Sequence, residues 1–162
     1  MIDRYSRPRM KEVWSEQSKY EKWLQVELAA CEAWAHEGLI SEEDVGKIRK
    51  ATFSFDEIKE SLKETRHELA AFLKSVSSSL GPEGRWIHQG LTTSDVWDTA
   101  TSLQLVETLD LLDKETSDLL DALHDRALEH KKTLMMGRTH GIHAEPTTFG
   151  LKLALWWDEV RR

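Results

Sequence analysis

From Leu91 to Met136 the sequence contains neither glycine nor proline, the two residues least compatible with a helix interior. Within this stretch side chains recur at alternating intervals of four and three residues, at Leu105, Leu109, Leu112, Thr116, Leu119 and Leu123. This is the spacing of a coiled-coil seam, and it predicts one long helix from about Ser94 to Lys131. Such a helix, about 57 Å long at 1.5 Å per residue, cannot bury its seam against itself. It requires other long helices as partners.

The rest of the chain is also predicted to be helical. A first amphipathic helix ends near Gly38, and Ser41 is expected to cap a short second one. A third helix is predicted to begin near Ser54 or Asp56 and to run to about Leu80. The face that the first helix presents to the core is formed by Tyr20, Trp23, Leu24, Leu28, Cys31 and Trp34.

A second long helix is predicted to start just after Pro146 and to continue to Arg162 without a C-cap. Thr93 or Ser94 is expected to cap the central helix, and the only strand signal is a weak one at residues 133–137 (TLMMG). The prediction is therefore an all-α protein. A small N-terminal helical domain covers residues 1–93, and residues 94–162 form the first part of a central helical bundle domain.

The composition is that of a soluble globular protein, with 40% apolar and 31% charged residues among 162. A formal charge of −7 argues against a general nucleic-acid binder, although it allows a local anion site. The single cysteine, Cys31, lies in an apolar helical pattern, which predicts a packed thiol in a reducing compartment. The N-terminus lacks the apolar core of a signal peptide, and no apolar run reaches about 18 residues. We therefore expect a cytoplasmic protein without a membrane span.

Three polar segments interrupt the helical pattern, and each contains histidine. They are Thr65–Glu68 (TRHE), Ile87–Asp95 (IHQGLTTSD) and Gly137–Pro146 (GRTHGIHAEP). Glycine lets the backbone approach a ligand closely, and Ser, Thr, His and helix N-terminal amides donate hydrogen bonds to anions. The segments therefore predict a site for an anionic small molecule. Arg4, with Tyr5 beside it, belongs either to a solvated basic tail or to a phosphate contact.

Other kinds of site have weaker support. His140 and His143 are three residues apart, but no HExxH motif or cysteine pair accompanies them, so no metal is expected. Walker and GxGxxG loops are absent, and no GxSxG elbow supports a Ser-His-Asp triad. The alternative to an enzyme is a helical interaction module without chemistry. That reading gives no reason for Gly137, Gly141 and Gly150 to cluster with histidines.

Four stretches together resemble the adenylosuccinate lyase family of the fumarase/aspartase superfamily. They are MIDRYSRPRM, TRHE, WIHQGLTTSDVWDTA and MMGRTHGIHAEPTTFGLKLALW, and the run GRTHGIHAEPTTFG is the most specific. The likeness extends over the whole chain and matches only the N-terminal portion of a family chain. The rest of the central helical domain, the C-terminal domain and the mobile loop with the family's catalytic serine would lie outside these residues.

The resemblance implies a defined reaction. The family cleaves adenylosuccinate to AMP and fumarate, and it cleaves the succinyl derivative of aminoimidazole carboxamide ribonucleotide in the same way. In this β-elimination a base removes a Cβ proton, the resulting carbanion is stabilised as an aci-carboxylate, and an acid protonates the leaving nitrogen. No metal or organic cofactor takes part. The family forms homotetramers around a helical bundle, and three subunits contribute to each active site, which agrees with the unpaired seam.

The resemblance also implies roles for single residues. His140 matches the general acid, a task for which imidazole is suited near neutral pH. The implied substrate-binding residues are Arg4, Tyr5, Arg66, His67, Glu68, His88, Thr92 and Thr93. The chain departs from the family pattern at Glu68, where Asp is usual, at Gln89, where an aromatic residue is usual, and at Thr93, where Ser is usual. These departures concern the fine geometry of binding. The alternative remains an inactive fragment or a non-catalytic helical interaction module.

Overall fold

A computed structural model of the chain describes residues 2–162, and the fold is all-α with one small β-hairpin. The helices are α1 (Pro8–Val13), α2 (Glu16–His36), α3 (Glu42–Ile48), α4 (Phe55–Thr65), α5 (Glu68–Ser78), α6 (Thr93–Glu129) and α7 (Phe149–Arg161). Strands β1 (Leu134–Thr139) and β2 (Ile142–Thr148) form the antiparallel hairpin, and short 3-10 helices occupy Asp3–Tyr5 and Pro82–Trp86. The predicted fold class is confirmed. No helix among residues 2–162 combines the length and apolar character needed to cross a bilayer.

Serine side chains cap the N-termini of three of the helices. The hydroxyls of Ser15, Ser41 and Ser54 accept hydrogen bonds from backbone N–H groups in the first turns of α2, α3 and α4. These N–H groups have no partner within the helix, so a short acceptor side chain at the preceding position stabilises the start. The predicted cap at Ser41 is confirmed. Gly38, at a φ of 76°, ends the turn after α2 as the sequence predicts.

The core formed by the N-terminal helices is an aromatic cluster centred on Phe72. The ring of Tyr20 stacks on Phe72 at a centroid distance of 5.5 Å, and Trp23 meets the same ring edge-on at 5.5 Å. Phe53 contacts both Tyr20 and Phe72. The predicted apolar face of α2 thus packs against α5. This packing fixes the position of α5, which follows directly after Arg66 and His67.

The long central helix is confirmed, with bounds of Thr93 and Glu129 against the predicted Ser94 and Lys131. Its start differs from the sequence prediction, because the capping interaction involves Thr92 rather than Thr93 or Ser94. The carboxylate of Asp95 accepts hydrogen bonds from the N–H and the hydroxyl of Thr92, at 2.7 and 3.0 Å. Along the seam Leu105, Leu109, Leu112 and Leu119 are between 46% and 61% exposed, whereas Leu123 is buried.

One predicted helix is in fact two. The sequence pattern indicated a single helix from about Ser54 to Leu80, but the chain breaks between α4 and α5 at Arg66 and His67. Arg66 adopts a left-handed φ of 50°, and its N–H closes the last turn of α4 on the carbonyl of Leu62 at 2.9 Å. Apolar periodicity continues across the break because both helices pack on the same core, so periodicity alone does not reveal it.

The segment Gly137–Pro146 is a β-hairpin, where the sequence indicated a loop. The weak strand signal at residues 133–137 is real: Leu134 pairs with Thr148, and Thr139 pairs with Ile142 across the turn. Among residues 2–162 this is the only sheet. It is short, exposed on both faces and rich in polar residues, so it lacks the alternation that identifies strands from sequence.

Close packing requires glycine at Gly137, in the third polar segment, and at Gly150, just after it. A Cβ on Gly137 would lie 2.6 Å from the carbonyl oxygen of Glu145 on the paired strand. A Cβ on Gly150 would lie 2.5 Å from the carbonyl oxygen of Ala127 and 2.6 Å from the backbone of Lys131. The clustering of these glycines is therefore explained by close backbone approach within the protein.

The chain forms two compact units, one up to Thr108 and one from Leu109 to Arg162. The division falls inside α6, which is continuous from one unit to the other. The predicted domains, residues 1–93 and 94–162, assign this helix from Ser94 onward to the bundle. That assignment stays a prediction.

Candidate active site

The first polar segment links α4 to α5, and two of its candidate side chains are exposed. Arg66 and His67 are both solvent-exposed. The Nδ1 atom of His67 caps α5 by accepting the N–H of Ala70 at 3.3 Å. A nitrogen that accepts carries no proton, so the neutral ring holds its proton on Nε2. The segment therefore offers a guanidinium and an imidazole N–H, both suited to an anion.

Glu68, the third candidate in this segment, is held by α2. Its Oε1 accepts from the ammonium of Lys19 at 2.5 Å and from the hydroxyl of Tyr20 at 2.9 Å. Burial raises the pKa of Tyr20 above its usual range, and the neighbouring Glu68 adds to this, so the phenol stays a donor. These contacts show that Glu68 anchors the segment to α2. Its predicted contact with substrate stays a prediction.

The second segment places His88 against a buried carboxylate. Glu27, on α2, is 0% exposed. Its Oε1 lies 2.7 Å from Nδ1 of His88, and its Oε2 accepts the backbone N–H of the same residue at 2.8 Å. Burial raises the pKa of Glu27, while the contacts with His88 oppose this rise. A carboxylate is tolerated at such a position only when its oxygens are hydrogen-bonded.

Glu27 was not identified from the sequence, although a signal was present. It lies in line with Tyr20, Trp23 and Cys31 on the apolar face of α2, at the spacing of that face. A charged residue within an apolar helical stripe requires a partner inside the protein. Glu27 is one of 29 acidic residues in the sequence, and the apolar residues on both sides of it make this part of α2 read as a plain core face.

Thr92 and Thr93 lie where α6 begins. Thr92 is exposed and donates to Asp95 through its N–H and its hydroxyl. The backbone hydrogen bond from Thr92 is the largest cause that lowers the pKa of Asp95, followed by the hydroxyl. Thr93 is the first residue of the helix and is half-buried. The predicted binding role of the two threonines stays a prediction, and it would require Thr92 to share its hydroxyl with Asp95.

The third segment presents His140 at the tip of the hairpin. Thr139 and Ile142 form the last pair, so His140 and Gly141 alone make the turn. Their φ angles of 51° and 74° are those of a type I′ turn. His140 is exposed. The hairpin therefore carries an accessible imidazole on a short and well-defined support.

The N-terminal candidates lie in the 3-10 helix Asp3–Tyr5. The guanidinium carbon of Arg4 lies 4.8 Å from the centroid of the Tyr5 ring, in a cation–π arrangement. Tyr5 is 74% exposed, and Arg4 is exposed as well. Both side chains are thus accessible to a ligand from outside this chain.

Backbone strain is confined to the three polar segments. Among residues 2–162 the non-glycine residues with left-handed φ are Arg66, His88 and His140, one in each segment. This conformation is costly for residues other than glycine, and it persists at functional sites where the surroundings impose it. No three His, Cys, Asp or Glu side chains in this part of the chain are grouped to hold a metal ion. Convergence of the three segments on one site, and the absence of a cofactor, stay predictions.

Comparison with known proteins identifies the class. A family model described as "Lyase" matches residues 3–162. Adenylosuccinate lyase of Bacillus subtilis strain 168 is 52% identical over 163 aligned positions, which cover 100% of this chain and 38% of the relative. The adenylosuccinate lyase of Streptococcus mutans is 53% identical with the same coverage. The crystal structure of a fumarate lyase from Mesorhizobium sp. BNC1 matches with a TM-score of 0.88 and 32% identity, over 94% of this chain and 37% of that one.

The chain belongs to this lyase family, that of the fumarase/aspartase superfamily. Within it, the sequence is similar throughout to the N-terminal portion of adenylosuccinate lyases, so the resemblance seen in the four sequence stretches is confirmed. The chain spans 38% of the length of the curated relatives it matches.

Proposed function

We propose that the protein to which this chain belongs is a lyase of purine nucleotide biosynthesis. It releases fumarate from adenylosuccinate, giving AMP, and from the succinyl derivative of aminoimidazole carboxamide ribonucleotide. Identity of 52% and 53% to adenylosuccinate lyases supports this choice of substrate. The observation that carries the proposal is the left-handed backbone at Arg66, His88 and His140, because it marks the same three segments that the sequence predicts to bind an anion.

In the proposed reaction His140 is the general acid. A base takes the proton from the succinyl Cβ, and the electron pair becomes the double bond of fumarate as the C–N bond breaks. His140 protonates the nitrogen that leaves. An exposed imidazole at the tip of a hairpin suits this step, since its ring is accessible to a substrate. The base is expected in a segment outside residues 1–162, and no metal or organic cofactor is required.

The remaining candidates bind the substrate's anionic groups. Arg4 and Tyr5 are assigned to the phosphate, and Thr92 and Thr93 to the carboxylate side, because guanidinium and hydroxyl groups donate to such oxygens; Arg4, Tyr5 and Thr92 are exposed and Thr93 is half-buried. A second set of binding residues consists of Arg66, His67, Glu68 and His88. Arg66 and His67 supply donors that the chain does not fully consume in its own contacts, whereas both donors of His88 face Glu27 and its Nε2 is left to meet the ligand.

A direct assay tests the proposed function. Full-length enzyme, purified and freed of small molecules, is mixed with adenylosuccinate or with the succinyl ribonucleotide, and fumarate release is followed. We expect the purified enzyme to turn over both substrates. We expect the same activity in a cytoplasmic extract of the cells that produce it. Argininosuccinate serves as the control substrate, since it yields fumarate but lacks the purine nucleotide. Release from argininosuccinate and not from the two nucleotides would place the protein elsewhere in the family.

Homotetramer formation is part of the proposal, and it rests on the seam of α6. Leu105, Leu109, Leu112 and Leu119 are about half exposed in the single chain. Burying each would contribute roughly 1.5 to 3 kcal/mol, so helices from other copies or from another segment are expected to cover them. Sedimentation of this 162-residue chain should therefore show an associated species. If the chain sediments as a monomer instead, it should bind a hydrophobic dye strongly. A single monomeric species that binds no dye would contradict this.

A further inference from the structure

We propose that Glu27 is a positioning residue for His88. It holds the imidazole with the Nδ1 proton turned toward the protein, so that the bare Nε2 meets the ligand as a hydrogen-bond acceptor, for an N–H or hydroxyl group of the ligand rather than for its anionic oxygens. The identity of that ligand, an anionic succinyl nucleotide, rests on the proposed function. The placement of the ring proton does not, because nitrogen NMR detects it in the absence of any ligand.

The two contacts of Glu27 determine the direction of the hydrogen bonds. The backbone N–H of His88 can only donate, so Oε2 at 2.8 Å is an acceptor. In the proposed arrangement Glu27 is a carboxylate, and its Oε1, 2.7 Å from Nδ1, accepts the Nδ1 proton. One side chain thus fixes both the ring and the backbone of the same residue. The backbone contact also holds His88 in its left-handed conformation, at a φ of 67°.

The difference in burial between the partners indicates which side faces a ligand. Glu27 is fully buried, whereas a quarter of the His88 side chain is exposed. The ligand-facing group is therefore the imidazole, and Glu27 acts through it. An orienting carboxylate behind a functional histidine is a common arrangement, because the acceptor sets the tautomer and the ring angle.

Substitution of Glu27 with Gln gives a sharp test. The carboxamide must keep its oxygen on the backbone N–H of His88, since its NH2 group cannot accept. The NH2 group then faces Nδ1 and donates to it, which forces the ring proton to Nε2. The E27Q variant therefore keeps the shape of the side chain and reverses the tautomer.

Nitrogen NMR of the assembled enzyme, labelled with 15N in the histidine rings, measures this directly. The His88 signals are assigned by their loss in a His88→Gln variant. We expect a protonated Nδ1 in the unchanged enzyme in the absence of ligand and a protonated Nε2 in E27Q. A bare Nδ1 in the unchanged enzyme would overturn the proposal, and this result is available even if E27Q does not fold. An identical His88 spectrum in both proteins would overturn it as well.

Kinetics provide the second readout. E27Q should raise the KM for adenylosuccinate about tenfold, the lower end of the range known for metal-ligating histidines that lose their orienting partner, because a protonated Nε2 no longer accepts from the ligand, with kcat much less affected. The matched control is Glu21→Gln, which removes an exposed carboxylate from the same helix. In a His88→Gln background, E27Q should have no further effect on KM, because its effect passes through the ring. An equal effect of E27Q with and without His88 would indicate a purely structural role. An unchanged enzyme that is inactive on adenylosuccinate would count against the proposed function alone.

Discussion

Replacing His140 with glutamine is expected to slow fumarate release by the full-length enzyme at least about 100-fold, the usual scale for losing a general acid. Glutamine has no proton to give to the leaving nitrogen. Substrate binding should persist, because the proposed phosphate and carboxylate contacts lie elsewhere, at Arg4, Tyr5, Thr92 and Thr93. Steady-state rates with adenylosuccinate, together with equilibrium binding of AMP, separate the loss of chemistry from a loss of affinity.

A second histidine provides the control for this experiment. His124 lies exposed on α6, beside Asp125, and is outside the three polar segments. His124→Gln removes an imidazole of similar exposure and should leave turnover near its normal value. Near-normal turnover in His140→Gln would remove the acid assignment. A loss of equal size in both variants would point to destabilisation rather than to chemistry.

The isolated 162-residue chain is expected to release no fumarate above the uncatalysed rate. In the proposed mechanism the base comes from a segment beyond these residues, and each site draws on three subunits. General acid catalysis without the base leaves the Cβ proton in place, so elimination does not proceed. The measurement is fumarate release at high protein concentration, with circular dichroism to verify that the helices have formed.

Supplying the missing part is the matched control for that result. Co-expression of this chain with the remaining polypeptide of the enzyme should restore turnover if the two pieces assemble. The His140→Gln change in the first piece should then remove it again. Robust activity of the 162-residue chain alone would show that the base lies within it, and the proposed division of roles would have to be abandoned.

The features that the sequence predicts well are those set by local periodicity. The helix Thr93–Glu129 could be placed within two residues because it has no breaker, and its seam follows one regular spacing. The break at Arg66 could not be placed in this way. Both flanking helices share a core, and the left-handed turn between them uses no glycine. The hairpin was missed for a related reason, since its strands are short and exposed on both faces.

The candidate site shows a second limit of prediction from a single sequence. Its exposed members were recognisable as polar residues that interrupt a helical pattern. The charge of Glu27 within the apolar face of α2 indicates a buried partner, but that partner was not recognisable, because His88 lies 61 positions later in the chain. Partners so far apart in sequence are brought together by tertiary packing alone, and a single sequence carries no direct signal of it. The anchoring of Glu68 by Lys19 and Tyr20, 49 and 48 positions away, is of the same kind.

At the tip of the hairpin, the residue that would best stabilise the turn differs from the residue proposed for catalysis. Asparagine or aspartate before glycine is the preferred pair for a type I′ turn, and position 140 holds histidine instead. Selection for heat resistance alone would favour asparagine there and discard the proposed acid. Libraries of this enzyme sorted only by residual structure after heating should thus become enriched in robust but inactive molecules, a trade-off that arises at sites bearing functional strain.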